Sequence, residues 1–532
     1  MRKFAGTGHL IRFIVRRDRI RMTVWTVSLV GLMAMTIPML DEMFQTPEQR
    51  LGRAAVMETP TGIVFGGPGY GLDTYGLGSM IANEMTMTLL VALAVMSILH
   101  MVRHTRAEEE SGRAELLRAN VTGSSAQMTA ALATNAVVNT VIGGLITLSL
   151  VANDLEVADS LAYGAGLALA GITFGAIAAV CAQISEHPRG ASGLAFLAVG
   201  VLFMFRVVGD VAERGGSAPS WFSPFAWAQQ TRMYDDLRWW PLALYAVVIV
   251  VLFTVAFTLA GRRDLGAGLV AARPGPADAS PLLNGVLALH LHQQRTSIVA
   301  WTAALALFAL GFGTLISEID AMVEQNPELV ARMGLDAQDM SNAFLGMLLL
   351  YVVMTAVAFA VLSVLRTRTE ETSGRVELTL STAVGRIRWM GSATLVAAVA
   401  AVAMTLLGGA GMGLGAGIAT DDYGWVATVT GAAAAQLPVV LLFIGLTTLC
   451  VGVAPRLVGV VWAWFGYGIV ATVFGPLLDL PDWMSDFGPF GIVSQLPQEE
   501  FDAVPFLVVL GAGVAATAVG LAGFRRRDLV TV

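Results

Sequence analysis

Residues 105–116 read TRAEEESGRAEL, and residues 367–378 read TRTEETSGRVEL. Both stretches contain the pattern EExSGRxEL, and each follows directly on a long apolar segment. A pattern that returns in the same position relative to the apolar segments around it indicates an internal duplication. The sequence therefore predicts two related halves, each carrying this polar loop in the same place.

The segments around these loops are typical of a membrane protein. Hydrophobic residues make up 56% of the chain and charged residues only 13%, against roughly 25% charged residues in soluble domains. Apolar segments long enough to cross a hydrocarbon core of ~30 Å recur along the whole chain. We predict an all-α polytopic membrane protein with about twelve transmembrane helices, six in each half, at residues 22–40, 84–102, 127–152, 161–181, 192–208, 241–260, 298–316, 343–365, 390–412, 425–450, 458–475 and 503–523.

Three further matches support the division into halves. Trp-Thr opens the first span of each half, a Pro/Trp/Phe segment precedes the sixth span, and Arg-Arg-Asp-Leu follows it at 262–265 and 526–529. Because each half has an even number of spans, we expect parallel, pseudo-symmetric repeats related by an axis along the membrane normal. The predicted boundaries are a first half at 1–270, a cytoplasmic linker at 271–285 and a second half at 286–532.

Arginine residues predict the orientation. Most of them fall on the side that carries both termini, and cytoplasmic loops favour basic residues. We expect a multi-pass protein of the plasma membrane with both termini in the cytoplasm. Each half begins with a segment that mixes apolar and basic residues, His9–Arg21 and Leu282–Arg295, which predicts helices lying along the membrane surface.

The repeated loop is unusual because it concentrates acids on a face that otherwise has few. Glu109 with Arg113, and Glu371 with Arg375, have the i,i+4 spacing of helical ion pairs, and the glycine between them predicts a break in the helix. We predict a short helix–turn–helix outside the membrane that docks on a cytoplasmic partner, with acids that contribute little to packing. The alternative is a loop whose charges only keep it solvated.

The whole chain resembles the permease of an ABC-2-type (type V-like) ABC exporter. It is most similar to fused twelve-span permeases of actinobacteria that export polyketide antibiotics or tetronasin-like compounds. The resemblance rests on the surface helix before span one, the EExSGRxEL loop and the Pro/Trp/Phe segment. It implies that the loop is a coupling helix for an ATPase subunit, formed by Glu108, Glu109, Glu110, Gly112, Arg113, Glu115, Glu370, Glu371, Gly374, Arg375 and Glu377.

The resemblance also implies an outer gate and a function. The gate residues are Trp221, Phe222, Pro224, Phe225, Trp483, Phe487, Pro489 and Phe490. The implied function is a permease subunit of an ATP-driven exporter that expels hydrophobic or amphipathic compounds, as in antibiotic or multidrug efflux. The long segment 41–83 after span one departs from simpler members of the family, and its role is open.

The chain has no site for ATP hydrolysis of its own. A P-loop requires a lysine to reach the phosphates, and the single lysine, Lys3, lies outside any glycine-rich loop. We therefore expect no catalytic residue, no cofactor and no metal in this chain. ATP and Mg²⁺ would be bound by a separate ABC ATPase, two copies of which would dock on the two loops. No nucleic-acid partner is expected.

Spans two and five line the cargo path in the family that the chain resembles. The residues predicted to line it are Met85, Met87, Phe203, Phe205, Trp462, Phe465, Asn135 and Asn139. Methionine and aromatic side chains offer adaptable apolar contacts, although such residues also fill ordinary helix interfaces. The two asparagines can equally bond to a neighbouring helix.

Two other functional classes remain as alternatives. A secondary exporter of the major-facilitator kind also has twelve spans, but it needs ionisable residues within the membrane. Apart from Glu84 at a span boundary, Arg206 is the one charged residue that the predicted spans contain. Arg206 has the spacing to pair with Asp210. A membrane-embedded enzyme would need a constellation of His, Asp or Ser, and the six histidines have no partner acids at suitable spacing in the sequence.

Overall fold

The structure is a computed structural model that describes residues 3–119, 122–213, 215–270, 278, 280–281, 283–317, 337–478 and 487–529. Side chains at 60–61, 117–118, 337–339 and 473–478 are outside this description. The chain forms two compact units, Met1–Gly275 and Pro276–Val532. The predicted linker 271–285 lies mostly outside the described residues. The predicted gate residue Trp483 also lies outside them.

The described residues of unit 1 form twelve α-helices joined by loops. Its helices are α1 Thr7–Met43, α2 Pro47–Glu58, α3 Pro60–Gly66, α4 Leu77–Glu84, α5 Thr86–His104, α6 Arg106–Glu110, α7 Arg113–Arg118, α8 Ala126–Val151, α9 Val157–Ile184, α10 Pro188–Ala212, α11 Pro224–Gln229 and α12 Trp240–Ala260, with a 3-10 turn at Ala218–Phe222.

Unit 2 repeats this order with fewer helices in its described residues. They are α13 Val286–Gly313, α14 Ala337–Thr372, α15 Arg375–Leu380, α16 Arg386–Thr420, α17 Gly424–Ala435, α18 Leu437–Val453, α19 Val458–Leu478 and α20 Ala503–Arg526.

The prediction of an all-α polytopic membrane protein is confirmed. Among the described residues, eleven helices or helix pairs are long and apolar enough to cross a membrane. Each of them coincides with one of the predicted spans, although the predicted spans 84–102, 127–152 and 298–316 extend one to three residues beyond the helix. The remaining predicted span, 458–475, coincides with α19, whose last side chains are not described.

Small residues allow the central helices to pack closely. In unit 1, α9 contacts α5, α8, α10 and α12, and its buried residues are mainly alanine and glycine. In unit 2, α18 lies along α20 so closely that a Cβ atom at Gly452 would overlap the carbonyl oxygen of Gly520. Close backbone approach of this kind provides the van der Waals contact that holds helices together where lipid removes the hydrophobic driving force.

The predicted surface segments are not separate helices. α1 runs without interruption from Thr7 through the first span, and α13 does so from Val286. No glycine or proline occurs between Gly8 and Gly31 or between Gly285 and Gly311, so nothing interrupts the helical hydrogen bonds. A helix of 37 residues is about 55 Å long, longer than the ~30 Å hydrocarbon core, so part of α1 extends beyond it.

Candidate functional site

The repeated loop forms the predicted short helix–turn–helix in unit 1, whereas in unit 2 its first part continues the long helix α14 without a break. In unit 1, α6 and α7 are joined at Gly112, which has φ +73°. In unit 2, the end of α14 and α15 are joined at Gly374, which has φ +72°. Left-handed backbone of this kind is accessible to glycine without steric cost, so the predicted break at both glycines is confirmed.

Glu109 does not lie on the surface of this loop. Its side chain is 6% exposed, and its two oxygens lie 2.7 Å from Arg263 and 3.0 Å from Arg106. Arg263 follows α12, so this contact ties the loop after span two to the end of span six. We name Arg106, Glu109 and Arg263 the first clasp.

Unit 2 contains the same arrangement at the equivalent positions. Glu371 is 1% exposed and lies 3.1 Å from Arg368 and 2.8 Å from Arg527, which follows α20. We name Arg368, Glu371 and Arg527 the second clasp. The recurrence of both partners indicates that the contact belongs to the repeat rather than to chance packing of one loop.

The predicted i,i+4 pairs within the loop are therefore wrong. Arg113 lies 3.6 Å from Glu108, and Arg375 lies 3.3 Å from Glu370. The glycine turns interrupt the helix between the two residues of each predicted pair, so helical spacing no longer applies across them. Glu109 and Glu371 contribute to packing, contrary to the expectation for a solvated acidic loop.

The exposed part of the loop is its second short helix. Leu116 on α7 and Leu378 on α15, which occupy equivalent positions, are 71% and 75% exposed. The predicted coupling residues on this second helix, Arg113, Glu115, Arg375 and Glu377, are exposed, and so is Glu110 at the end of α6. Glu108 instead is largely buried and bonded to Arg17 on α1 at 2.8 Å, and Glu370 is half-buried.

The predicted gate segments share one packing pattern in the two units. Phe225 is buried against Phe174 and Phe203, and Phe490 is buried against Phe443 and Phe465. Phe222 and Phe487, which precede them by three residues, are exposed. Of the other predicted gate residues, Trp221 stacks on Trp240 at 5.0 Å between ring centroids, and Pro224 and Pro489 are buried.

The segment 41–83, whose role the sequence leaves open, packs on the gate segment of unit 1. The Tyr70 hydroxyl lies 2.7 Å from the carbonyl oxygen of Gly215, and burial raises the pKa of this phenol. The Gln229 amide donates to the carbonyl oxygen of Gly66. These contacts attach the segment to the polypeptide between α10 and α12 at two places, just after α10 and at the end of α11.

Arg206 and Asp210 form the predicted pair. Their side chains meet at 2.8 Å and are fully buried, and the Ser220 hydroxyl donates to Asp210 at 2.6 Å. The Arg206 guanidinium also donates to the carbonyl oxygen of Val64. The pair therefore holds α10, the gate segment and segment 41–83 together.

The predicted path residues do not converge on one cavity. Asn135 donates to the carbonyl oxygen of Gly171 on α9 at 3.3 Å, and Asn139 donates to the Ser97 hydroxyl on α5 at 3.2 Å, as expected of helix–helix contacts. Met87 and Phe203 are core residues of unit 1. The remaining members are the half-buried Met85 and Trp462, the exposed Phe205 and the largely buried Phe465.

Each unit has a cavity between its first and second spans. The cavity in unit 1 has a volume of about 520 Å³ and includes Trp25 and Asn135 in its lining. The cavity in unit 2 has a volume of about 740 Å³ and is lined by Trp301, Phe308, Ala309, Phe312, Met347, Leu348, Tyr351, Val352, Met354, Thr355, Ala358, Met412, Phe465 and Ile469. Trp25 and Trp301 are equivalent in the repeat, so the two cavities occupy related places.

A cluster of charged residues at one end of the unit 1 cavity was missed in the sequence. His104 Nε2 lies 2.8 Å from Asp18, and ligand atoms of Asp18, His100 and His104 lie within 4.8 Å of one another. The Asp18 carboxylate also binds Arg103 at 3.0 Å, so the cluster does not have the free carboxylate and anionic surroundings that favour a metal ion. The expectation that no histidine has a partner acid was wrong because Asp18 and His104 belong to different helices.

Comparison with known proteins assigns this chain to a family. The family profile described as the C-terminal domain of the multidrug efflux system permease Rv1217c matches residues 9–259 and 283–525. The chain belongs to this family. The multidrug efflux system permease protein Rv1217c of Mycobacterium tuberculosis (strain ATCC 25618 / H37Rv) is 36% identical over 532 residues, which are 99% of this chain and 96% of the relative.

Membership in the family of multidrug efflux permeases confirms the predicted transport role. The match extends over both units and includes both cavities, whereas Arg263 and Arg527 of the two clasps lie just outside the matched residues. The narrower resemblance to fused ABC-2-type exporters stays a prediction.

Proposed function

We propose that this chain is the permease of an ATP-driven ABC exporter, with ATP and Mg²⁺ bound by two copies of a separate ATPase subunit. The observation that carries the proposal is the repeated loop, in which the same turn, exposed helix and buried clasp occur in both units. Two equivalent loops suit two copies of one partner. The plasma membrane and a cytoplasmic position for both termini are part of this proposal.

The docking surface of each loop is its exposed helix. Leu116 and Leu378 offer an apolar contact, and the charged residues beside them, such as Arg113 and Arg375, can form a polar rim. Protein interfaces commonly combine an apolar centre with such a rim. Because most of the acids predicted for docking are partly or fully buried, we propose that leucine rather than glutamate provides the main contact.

The clasps connect the docking helices with the transmembrane spans. Each clasp joins the loop to the end of the sixth span of its own unit through a buried, charge-assisted contact. A displacement of α7 or α15 by the ATPase would then be transmitted to α12 or α20. The Phe225 and Phe490 segments, which precede these spans, would form the outer gate.

The cargo proposed for this exporter is hydrophobic or amphipathic. The described residues that line the unit 2 cavity are mostly aromatic, methionine and aliphatic, and none of them is charged. Apolar cavities of several hundred Å³ are typical of sites for drug-sized ligands. Spans two and five contribute to this lining, as the family resemblance implies.

A secondary-active exporter is the second candidate, and the buried Asp18–His104 pair is the observation that favours it. Ionisable pairs in membrane helices often belong to proton relays. This pair lies at the ends of the predicted spans, and Arg103 also neutralises Asp18, so it is also suited to a structural role.

Association of the chain with an ATPase subunit tests the proposed function. The chain should be co-expressed with a P-loop ATPase encoded beside it, purified, and weighed by native mass spectrometry. We expect one permease with two ATPase copies, and loss of one copy when Leu116→Glu or Leu378→Glu is introduced. A permease that never associates with an ATPase, and that transports in response to a proton gradient, would support the secondary-active alternative.

A further inference from the structure

The cavity of unit 1 has an apolar wall. It lies between α1, α5, α8 and the start of α10, and its wall includes Met22, Trp25, Met96, Leu99 and Val138. Trp25 is half-buried and lines the cavity, so its indole ring can contact a molecule there. A volume of about 520 Å³ is sufficient for an extended chain or a small ring system.

One end of the same cavity is cationic. Arg21 and Arg103 line it, together with Asp18. The Asp18 carboxylate is 3% exposed and already bound by Arg103 and His104. Arg21 is exposed, and no carboxylate of the described residues lies within ion-pair distance of it. The cavity therefore retains a positive charge beside its apolar wall.

We propose that this cavity binds amphipathic anions, with a carboxylate or phosphate at Arg21 and Arg103 and an apolar body against Trp25 and Met96. A guanidinium group matches the geometry of both anions and forms charge-assisted hydrogen bonds with them. The inference deepens the proposed export function by giving a chemical class to one cargo site, and it rests on that function only for the direction of movement.

The second unit lacks the cationic end. At the positions equivalent to Asp18, Arg21 and Arg103 it has Gln294, Ser297 and Leu365. The Gln294 side chain faces Ser363, with 2.6 Å between their oxygens, and none of the described residues that line the unit 2 cavity is charged. Preference for an anion is therefore a property of unit 1 alone, and the two related cavities differ in the ligand that they select.

Fluorescence quenching by brominated lipids tests this inference on the full chain, purified in detergent without an ATPase. Dibrominated stearate should quench the Trp25 component of the emission, defined as the part lost in Trp25→Phe. Arg21→Gln should weaken this quenching about tenfold, since it removes one charge-assisted contact. Arg19→Gln, which removes an exposed arginine of the same helix that does not line the cavity, should leave it unchanged.

Neutral and lipid probes show whether the bound anion is a free carboxylate or a lipid headgroup. The methyl ester of dibrominated stearate should bind more weakly than the acid and be insensitive to Arg21→Gln. Quenching by brominated phosphatidylglycerol alone would support the anion site and assign it to a lipid headgroup. Equal quenching by brominated phosphatidylcholine, or no effect of Arg21→Gln, would overturn the inference. Because no ATPase is present, either result is independent of the assembly experiment.

Discussion

Glu109 and Arg263 form a buried ion pair, with 2.7 Å between Glu109 Oε1 and the guanidinium, although 154 residues separate them in sequence. Glu371 and Arg527 repeat the contact at 2.8 Å in unit 2. Each pair connects a surface loop with the end of a membrane helix. This connection makes the loops part of the transport machinery proposed here rather than detached docking sites.

Glu109→Gln should destabilise unit 1, because it leaves Arg106 and Arg263 without their buried counter-charge. Breaking a buried pair by removal of one partner typically costs about 3–5 kcal/mol. We expect a lower melting temperature of the purified chain, and partial recovery in Glu109→Gln/Arg263→Gln, which removes the uncompensated charge. Glu110→Gln, at an exposed neighbouring position, is the matched control. Equal melting temperatures for Glu109→Gln and Glu110→Gln would contradict the clasp.

Leu116→Glu combined with Leu378→Glu should abolish transport without lowering the melting temperature. Both side chains are mostly exposed, so the substitution removes an apolar contact with a partner and little of the packing within the chain. Drug efflux from cells and fluorescence-detected gel filtration measure the two effects. Leu51→Glu, at an exposed position on α2, should leave efflux intact. Normal efflux in the double variant would place the ATPase contact elsewhere.

Asp210→Asn should loosen the attachment of segment 41–83 in unit 1. It leaves the fully buried Arg206 without its carboxylate, which costs about 3–5 kcal/mol in typical cases. Because Arg206 also binds the carbonyl oxygen of Val64, hydrogen exchange should rise in residues 60–72. Asp236→Asn, at an exposed acid of the same face, should cause no change there. Unaltered exchange in Asp210→Asn would show that the pair does not fix this segment.

Phe308→Ala should lower resistance to bulky apolar toxins several-fold. Phe308 lines the unit 2 cavity and is half exposed, so its loss removes contact with cargo at small cost to the fold. Leu307→Ala is the control, since Leu307 is exposed on the same helix and does not line the cavity. Growth inhibition by a panel of toxins provides the measurement. Equal losses in both variants would contradict a role of this cavity in binding the toxins.

Local patterns in the sequence predicted the spans and the turns at Gly112 and Gly374, because apolar length and glycine conformation are local properties. The clasps depend on residues far apart in sequence. The loop and the Arg-Arg-Asp-Leu segment were each recognised as repeats, and their joint recurrence was the signal that could have linked Glu109 with Arg263. Asp18 and His104 offered no such signal, since the second unit has Gln294 and Arg366 at these positions.

The most direct test of the proposed function is to identify the energy source for transport. The chain and its co-purified ATPase should be reconstituted into liposomes, and movement of a fluorescent hydrophobic cation such as ethidium followed with ATP or with an imposed proton gradient. We expect transport with ATP and Mg²⁺, none with a non-hydrolysable analogue, and none with a gradient alone. His104→Gln should then reduce the rate only as far as it reduces stability. Gradient-driven transport by the permease without ATP, abolished in His104→Gln, would contradict the account.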